Sequence, residues 1–146
     1  MKLGKLAEVF EGLATTLANL DSAVGEPYCL IQCRDLVGGR VTPRRRLKGI
    51  HLDPAEVRHL AVQVGDILVA LVGVEVSVVV VKKALAWCIP DVQVAIIRTA
   101  SEESRVRILD YLNSDEGQRR LRSLQRGNFV KQVRVGDLRD LDLPNV

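Results

Sequence analysis

Apolar positions follow different periods in different parts of the chain. Near the start, Leu3, Leu6, Phe10, Leu13, Leu17 and Leu20 fall at spacings of three and four. By period alone that is an amphipathic helix. Tyr28 to Cys33 is largely apolar on both faces and reads as a strand. Ile67 to Val72 and Val76 to Val81 are β-branched runs with almost no polar interruption. Such runs suit strands covered on both faces. Gly73-Val74-Glu75 is the tight connection between them, and Val92 to Arg98 adds a further strand. The pattern then changes. Val106, Leu109 and Leu112 make a row at i, i+3 and i+6, with Ile108 and Tyr111 beside it, so a helix is predicted there.

A second helix follows, joined to the first at Asn113-Ser114. The Ser114 hydroxyl can accept a free backbone N–H of the next turn. Asp115 and Glu116 put negative charge at the positive end of the helix dipole. Leu121 and Leu124 form its apolar stripe, and Arg119, Arg120, Arg122 and Arg126 weight its later part with cations. Gly127 stands where a left-handed stop would go. The plain reading of Arg119, Arg120 and Arg122 is helix-surface charge paired with Asp115 or Glu116. Beyond Gly127, Phe129 to Val135 is strand-like, Gly136 to Leu141 reads as one helical turn, and Pro144 closes the pattern.

Turn chemistry fills the gaps. Gly25-Glu26-Pro27 and Gly38-Gly39 are turn signals, and Arg40-Val41-Thr42 starts a return strand. Asp53 with Pro54 reads as an N-cap and first helical position, with a short helix to about Leu60. Lys82 and Lys83 cap the second apolar run. The sum is an α+β protein with a single mixed, strongly bent β-sheet and a late helix pair, in one domain over residues 1–146.

The 146 residues suit one sizeable core. Hydrophobic residues are 47% and charged residues 27%, which excludes a disordered chain. A net charge of +3 permits a polyanionic partner without demanding one. Three cysteines, an odd number with no signal-like apolar start, point to free thiols in a reducing, cytoplasmic compartment. The Asp66–Val81 region is divided by Gly73 and Glu75 and is too short for a membrane span.

Candidate chemistry is sparse. Cys29 and Cys33 share a strand face, but no second ligand pair stands at finger-like spacing, so buried structural thiols are the simpler reading. Cys88 is read the same way. His51 and His59 are eight apart with no metalloprotease pattern. A thiol enzyme built on Cys29, Cys33 or Cys88 has nothing to orient a base. Nucleotide-binding glycine loops are absent, and no cofactor or metal is expected. What remains is the basic loop Pro43–Gly49, carrying Arg44, Arg45, Arg46 and Lys48. It is either a solvated surface run or a phosphate and base contact, since arginine's planar fork matches both phosphate and the guanine edge.

The ordered motifs resemble the target-recognition domain of type I restriction-modification specificity subunits. The family's YLNSxEGQ-like helix corner corresponds to Tyr111 through Gln118, and its closing "L..L.LP" to Leu138, Leu141 and Leu143-Pro144. Its "pGDIL" strand start corresponds to Val64 through Val69. Its "iq.rDl" corresponds to Leu30 through Leu36, and its opening "LG.laev..G" to Leu3 through Gly12. The resemblance makes Leu6–Phe10 a strand, against the helical period, and leaves Leu13–Leu20 open. It implies a non-catalytic reader of double-stranded DNA, with nuclease and methyltransferase chemistry on other subunits. Methyltransferase motifs are indeed absent from this sequence. The DNA contacts it implies are Gln32, Arg34, Arg44, Arg45, Arg46 and Lys48, with Arg126, Asn128 and Lys131 around the Gly127 turn. There the family has Gly-Ser or Gly-Thr and this chain has Gly-Asn. Modification and restriction subunits would be partners. The sequence stops at Asn145-Val146, where the family's spacer helix would begin, so a lone module would bind modestly or dimerise for avidity. The competing reading is a protein-interaction or dimerisation module of the same fold, using the Val76–Val81 run as a homodimer edge.

Overall fold

A computed structural model describes residues 1–14, 28–43, 45–47, 54–85 and 88–144. Its elements, in order, begin with α1 (Leu3–Leu6), a single turn, and β1 (Glu8–Glu11). β2 (Tyr28–Ile31) runs into a 3-10 turn at Cys33–Asp35, then β3 (Leu36–Val37), β4 (Arg40–Val41) and β5 (Arg45–Leu47) follow. Next come α2 (Pro54–Leu60), β6 (Ile67–Ala70), β7 (Val78–Val80), β8 (Cys88–Pro90) and β9 (Val94–Arg98). The chain closes with α3 (Glu102–Asn113), α4 (Asp115–Ser123) and α5 (Val135–Arg139). Among the described residues no helix is long and apolar enough to cross a membrane.

The α+β class and the late helix pair stand as expected from the sequence. The single sheet does not: the strands divide among three. A four-stranded antiparallel sheet has the order β1-β9-β6-β7. A three-stranded one, β5-β2-β8, pairs β2 antiparallel to β5 and parallel to β8. β3 and β4 form a separate hairpin. The division occurs where strands end. After Pro90 the chain turns at Asp91–Gln93 and enters the other sheet as β9. Gly12 sits in the seam, where a Cβ would lie 2.2 Å from the Pro90 carbonyl oxygen, so only glycine lets the segments close. There Leu13 N–H donates to the Pro90 carbonyl (2.8 Å) and Gly12 N–H to that of Val94 (3.1 Å).

The uniformly apolar runs have the cause their composition predicts. Ile67 and Val69 of β6 face one core, with Ala95 and Ile97 of β9. Leu68 and Ala70 face the other, with Val94 and Ile96. The first core is closed by the helices through Ile108, Leu112, Leu121 and Leu138. The second is closed by the smaller sheet and its hairpin through Ile31, Leu36 and Cys88.

Several local expectations are corrected. The strand that the resemblance implies over Leu6–Phe10 holds from Glu8 on: Glu8–Glu11 pairs antiparallel with β9, while Leu6 belongs to the helical turn Leu3–Leu6. Leu17 and Leu20 lie outside the described residues. The basic stretch is not a free loop, because Arg45–Leu47 pairs with Tyr28–Leu30. Cys29 and Cys33 do not share a strand face: β2 ends at Ile31 and Cys33 opens the 3-10 turn. Phe129–Val135 is not a strand. Its N-terminal part is an exposed loop, Val133 is buried in the core, and Val135, partly buried against it, begins α5.

The first and last segments clasp each other. Leu3 N–H donates to the Leu141 carbonyl (2.8 Å) and Leu143 N–H to that of Met1 (2.9 Å). Leu138, Leu141 and Leu143 are all buried, so the closing motif is a core-forming one.

Candidate nucleic-acid interface

The helix corner that carries the family resemblance is a fastening device. Ser114 caps α4 by accepting from Gly117 N–H (3.0 Å), and its hydroxyl donates to the Tyr111 carbonyl (2.5 Å). A Cβ on Gly117 would fall 1.8 Å from that carbonyl oxygen, so the two helices meet only with glycine there. Asn113 Nδ2 donates to the Val78 carbonyl (3.3 Å). Gln118 Nε2 donates to the carbonyls of Val76 (3.1 Å) and Leu112 (2.8 Å). These two amides cover outward-facing carbonyls at the edge strand β7. An uncovered edge invites another strand to pair with it. Two carbonyls of the Val76–Val81 run are thus capped by side chains from the protein's own helices, and Val76, Val78, Val79 and Val81 are buried.

Arg120, read as surface charge, instead donates to the Tyr111 hydroxyl (2.8 Å) and to the Asp142 carbonyl. Among the described residues no ion pair joins Arg119, Arg120 or Arg122 to Asp115 or Glu116. The pairs within the helices are Arg105–Glu102 (3.1 Å) and Arg107–Glu103 (2.9 Å).

Two other motifs are also structural. Asp66, at the start of β6, is almost fully buried and accepts from Arg98 Nε (3.0 Å), Arg98 Nη2 (2.8 Å) and Gln63 N–H (2.8 Å). Asp35 is buried and accepts from Gln32 N–H (2.8 Å), fixing the 3-10 turn that follows β2. That turn leaves Arg34 exposed and Gln32 half-buried.

The proposed contact residues fall into two groups. Gln32 and Arg34 follow β2, and Arg45 and Arg46 lie on β5 opposite Leu30 and Cys29, all within the three-stranded sheet and its exit turn. Arg44 and Lys48 lie outside the described residues. Arg126, Asn128 and Lys131 form the second group, on a loop hung from the four-stranded sheet.

That loop is held at its base. Arg126 and Gln132 exchange backbone hydrogen bonds (2.8 and 2.9 Å), while Val133 N–H donates to the Leu71 carbonyl (2.7 Å). Gln125 Nε2 donates to the Gly73 carbonyl (2.7 Å), and Gly73 N–H to that of Lys131 (3.1 Å). Gly127 has φ 116°, the left-handed region predicted for it, although α4 itself stops earlier, at Ser123. Arg126 Nη2 lies 3.3 Å from Asp137 Oδ2, and Lys131 Nζ donates to the Gly127 carbonyl (3.1 Å).

The structure also brings together cations that lie far apart in sequence. Arg40, Lys82 and Lys83 border an open cleft of about 560 Å3, with Thr42 and Leu85 on its wall. A second cleft of about 540 Å3 carries Arg122 and Glu75 and shares Gly39 with the first. The two clefts thus adjoin at the β3–β4 hairpin, with Lys82 and Lys83 in one and Arg122 and Glu75 in the other. No period in the sequence links Arg40 with Lys82. They meet only because the hairpin packs beside β7.

The thiols are free: Cys29 is half-buried, Cys88 buried, and Cys33 Sγ donates to the Gln93 carbonyl (3.0 Å). Burial pushes the Cys33 thiol above its ordinary pKa, and the nearby Asp91 carboxylate adds to the shift against backbone hydrogen bonds that lower it. A group held protonated in this way is a poor nucleophile.

No family model matches the sequence, and no curated protein matches it. Solved structures do match. Over 97% of this chain, the S subunit of a type I restriction-modification system from M. genitalium aligns with a TM-score of 0.58 at 16% identity. A chain from a structure describing complex assembly and conformational transition of the type I restriction-modification system aligns over the same share, with a TM-score of 0.63 at 18% identity. This chain covers 32% of each of them. The chain thus has a fold like that of part of a type I S subunit, a target-recognition-domain-like fold.

Proposed function

We propose that the chain is a non-catalytic, sequence-specific reader of duplex DNA, of the kind that serves a restriction-modification specificity subunit. The observation that carries the reading is the pair of adjoining clefts bordered by Arg40, Lys82 and Lys83 and by Arg122, on a chain with a specificity-subunit-like fold. Lysines and arginines along a rim hold phosphates and set register. Base edges are read by side chains that reach into the groove between them. Asn128, exposed at the loop, and Gln32 and Arg34 at the turn after β2 are the residue types for that second task. Asp66 is committed to Arg98, while Glu75 in the Arg122 cleft and Asp137 beside Arg126 are the carboxylates that stand among the cations. Restriction and modification subunits are the partners this reading implies, in the cytoplasm of a bacterial cell.

The test is selection from a randomised duplex pool by the purified chain at two salt concentrations. A short asymmetric consensus is expected. The logarithm of the binding constant should fall with log salt by about 0.9 per phosphate held. An absence of both enrichment and salt-dependent binding would overturn the proposal.

A further inference from the structure

The Arg126–Gln132 loop presents an apolar tip for which folding gives no reason. Phe129 is fully exposed, Val130 is 61% exposed, and Val74 on the adjoining turn is 81% exposed. Leaving a phenylalanine ring wholly in water forgoes stabilisation that burial would supply. The loop beneath it is nonetheless tied to the core, through the Arg126–Gln132 bonds, the Gln125–Gly73 bond and the Val133–Leu71 bond. The ring is thus held out from a fastened base.

The surroundings identify the occupant. Residues 117–136 contain six cations, Arg119, Arg120, Arg122, Arg126, Lys131 and Arg134, and no acidic residue; Arg120 is turned to Tyr111 and the Asp142 carbonyl, and Arg126 lies 3.3 Å from Asp137, just beyond the segment. Arg126 and Lys131 flank the ring in sequence, and both are exposed. An apolar tip set among cations is complementary to a polyanion whose interior is a stack of flat apolar faces. A protein partner would more often meet an apolar patch inside a polar rim of mixed charge.

We propose that Phe129, supported by Val130, is a wedge that enters the groove of duplex DNA and contacts the base stack, partly unstacking one step while Arg126 and Lys131 hold the flanking phosphates. Apolar side chains inserted between base steps kink DNA in this way, and pyrimidine–purine steps yield most readily. The wedge would therefore read deformability at a step that no hydrogen bond specifies. This inference rests on the DNA-reading proposal above and adds to it a residue and a mode of readout.

The experiment compares the full chain with Phe129→Ala and with Arg126→Glu/Lys131→Glu. The probes are duplexes carrying 2-aminopurine at successive positions, in the selected consensus or, without one, in a mixed-sequence 40-mer. Circular dichroism and velocity sedimentation run alongside. Wild type is expected to raise the fluorescence of 2-aminopurine at one step. Phe129→Ala should lose that rise and bind roughly five- to a hundred-fold more weakly, as expected for removing one aromatic–base contact, while keeping its salt slope. Arg126→Glu/Lys131→Glu should instead flatten the slope. If wild type binds DNA but Phe129→Ala matches it in affinity and fluorescence, the wedge is refuted and the DNA reading survives. If wild type binds no duplex, both fall. If wild type self-associates and Phe129→Ala abolishes this without changing DNA binding, the tip is an interface between copies and the wedge is refuted.

Discussion

Replacing Arg98 with Met should destabilise this protein more than replacing Asp66 with Asn, although the two residues form one ion pair. Asp66 is 2% exposed and Arg98 15%. Arg98→Met removes both guanidinium bonds to the carboxylate, at 3.0 and 2.8 Å, leaving it buried with the Gln63 N–H as donor. It also frees the carbonyls of His59 and Ala61, which accept from Arg98 at 2.9 and 3.1 Å, and removes the cation 5.2 Å from the Phe10 ring. Stranding a buried charge in this way costs about 3–5 kcal/mol. Asp66→Asn keeps the shape and one acceptor, and Arg98 retains its two carbonyls and some water. A cost of about 1–3 kcal/mol is expected. Urea denaturation followed by circular dichroism at neutral pH measures both. For a chain of this size, the Arg98→Met loss corresponds to a Tm lower by about 10 °C. The double variant Asp66→Leu/Arg98→Met should cost less than the two single changes together, since no charge is then stranded. The reasoning fails if Arg98→Met lies within about 1 kcal/mol of wild type, or if Asp66→Asn proves the more damaging.

Other perturbations follow from other parts of the fold. Gly117→Ala should cost about 1–3 kcal/mol or prevent folding, because its Cβ would meet the Tyr111 carbonyl; thermal melts will show which. Gln118→Ala should destabilise by about 1–3 kcal/mol and expose the β7 edge, measurable as faster amide exchange across Val76–Val80 and a rise in concentration-dependent association. Lys82→Glu/Lys83→Glu should leave the melting temperature near wild type, since both side chains are exposed, while the salt slope of DNA binding falls by up to about two. Cys33 should resist iodoacetamide near neutral pH, where its raised pKa keeps it protonated. Its alkylation should speed up only as pH climbs past the ordinary thiol range, and mass spectrometry across a pH series will follow it.

Much of the fold was legible in the sequence because the signals were local. The helix corner needs a cap at Ser114, a small residue at Gly117 and an apolar row ending in Leu112, all within eight positions. The β-branched runs at Ile67–Val72 and Val76–Val81 announced strands with two covered faces. Gly127 announced a positive φ. The start of the chain misled by period alone, because Leu6 and Phe10 fit a helix. Only the pairing with β9, more than eighty residues away, makes Glu8–Glu11 a strand.

What only the tertiary structure decided was partnership across distance. Arg45 and Arg46 look like a loop tip until Tyr28–Leu30 is seen to pair with them. Arg120 looks like surface charge until Tyr111 and Asp142 are brought beside it. Arg40 and Lys82 join one cleft because a hairpin packs against a strand some forty residues on. Phe129 reads as a strand residue, and only the closure of Arg126 on Gln132 turns it outward. Local sequence sets which backbone shapes are cheap. Which side chains meet, and therefore which charges remain free to meet a partner, depends on contacts between segments that no local pattern encodes.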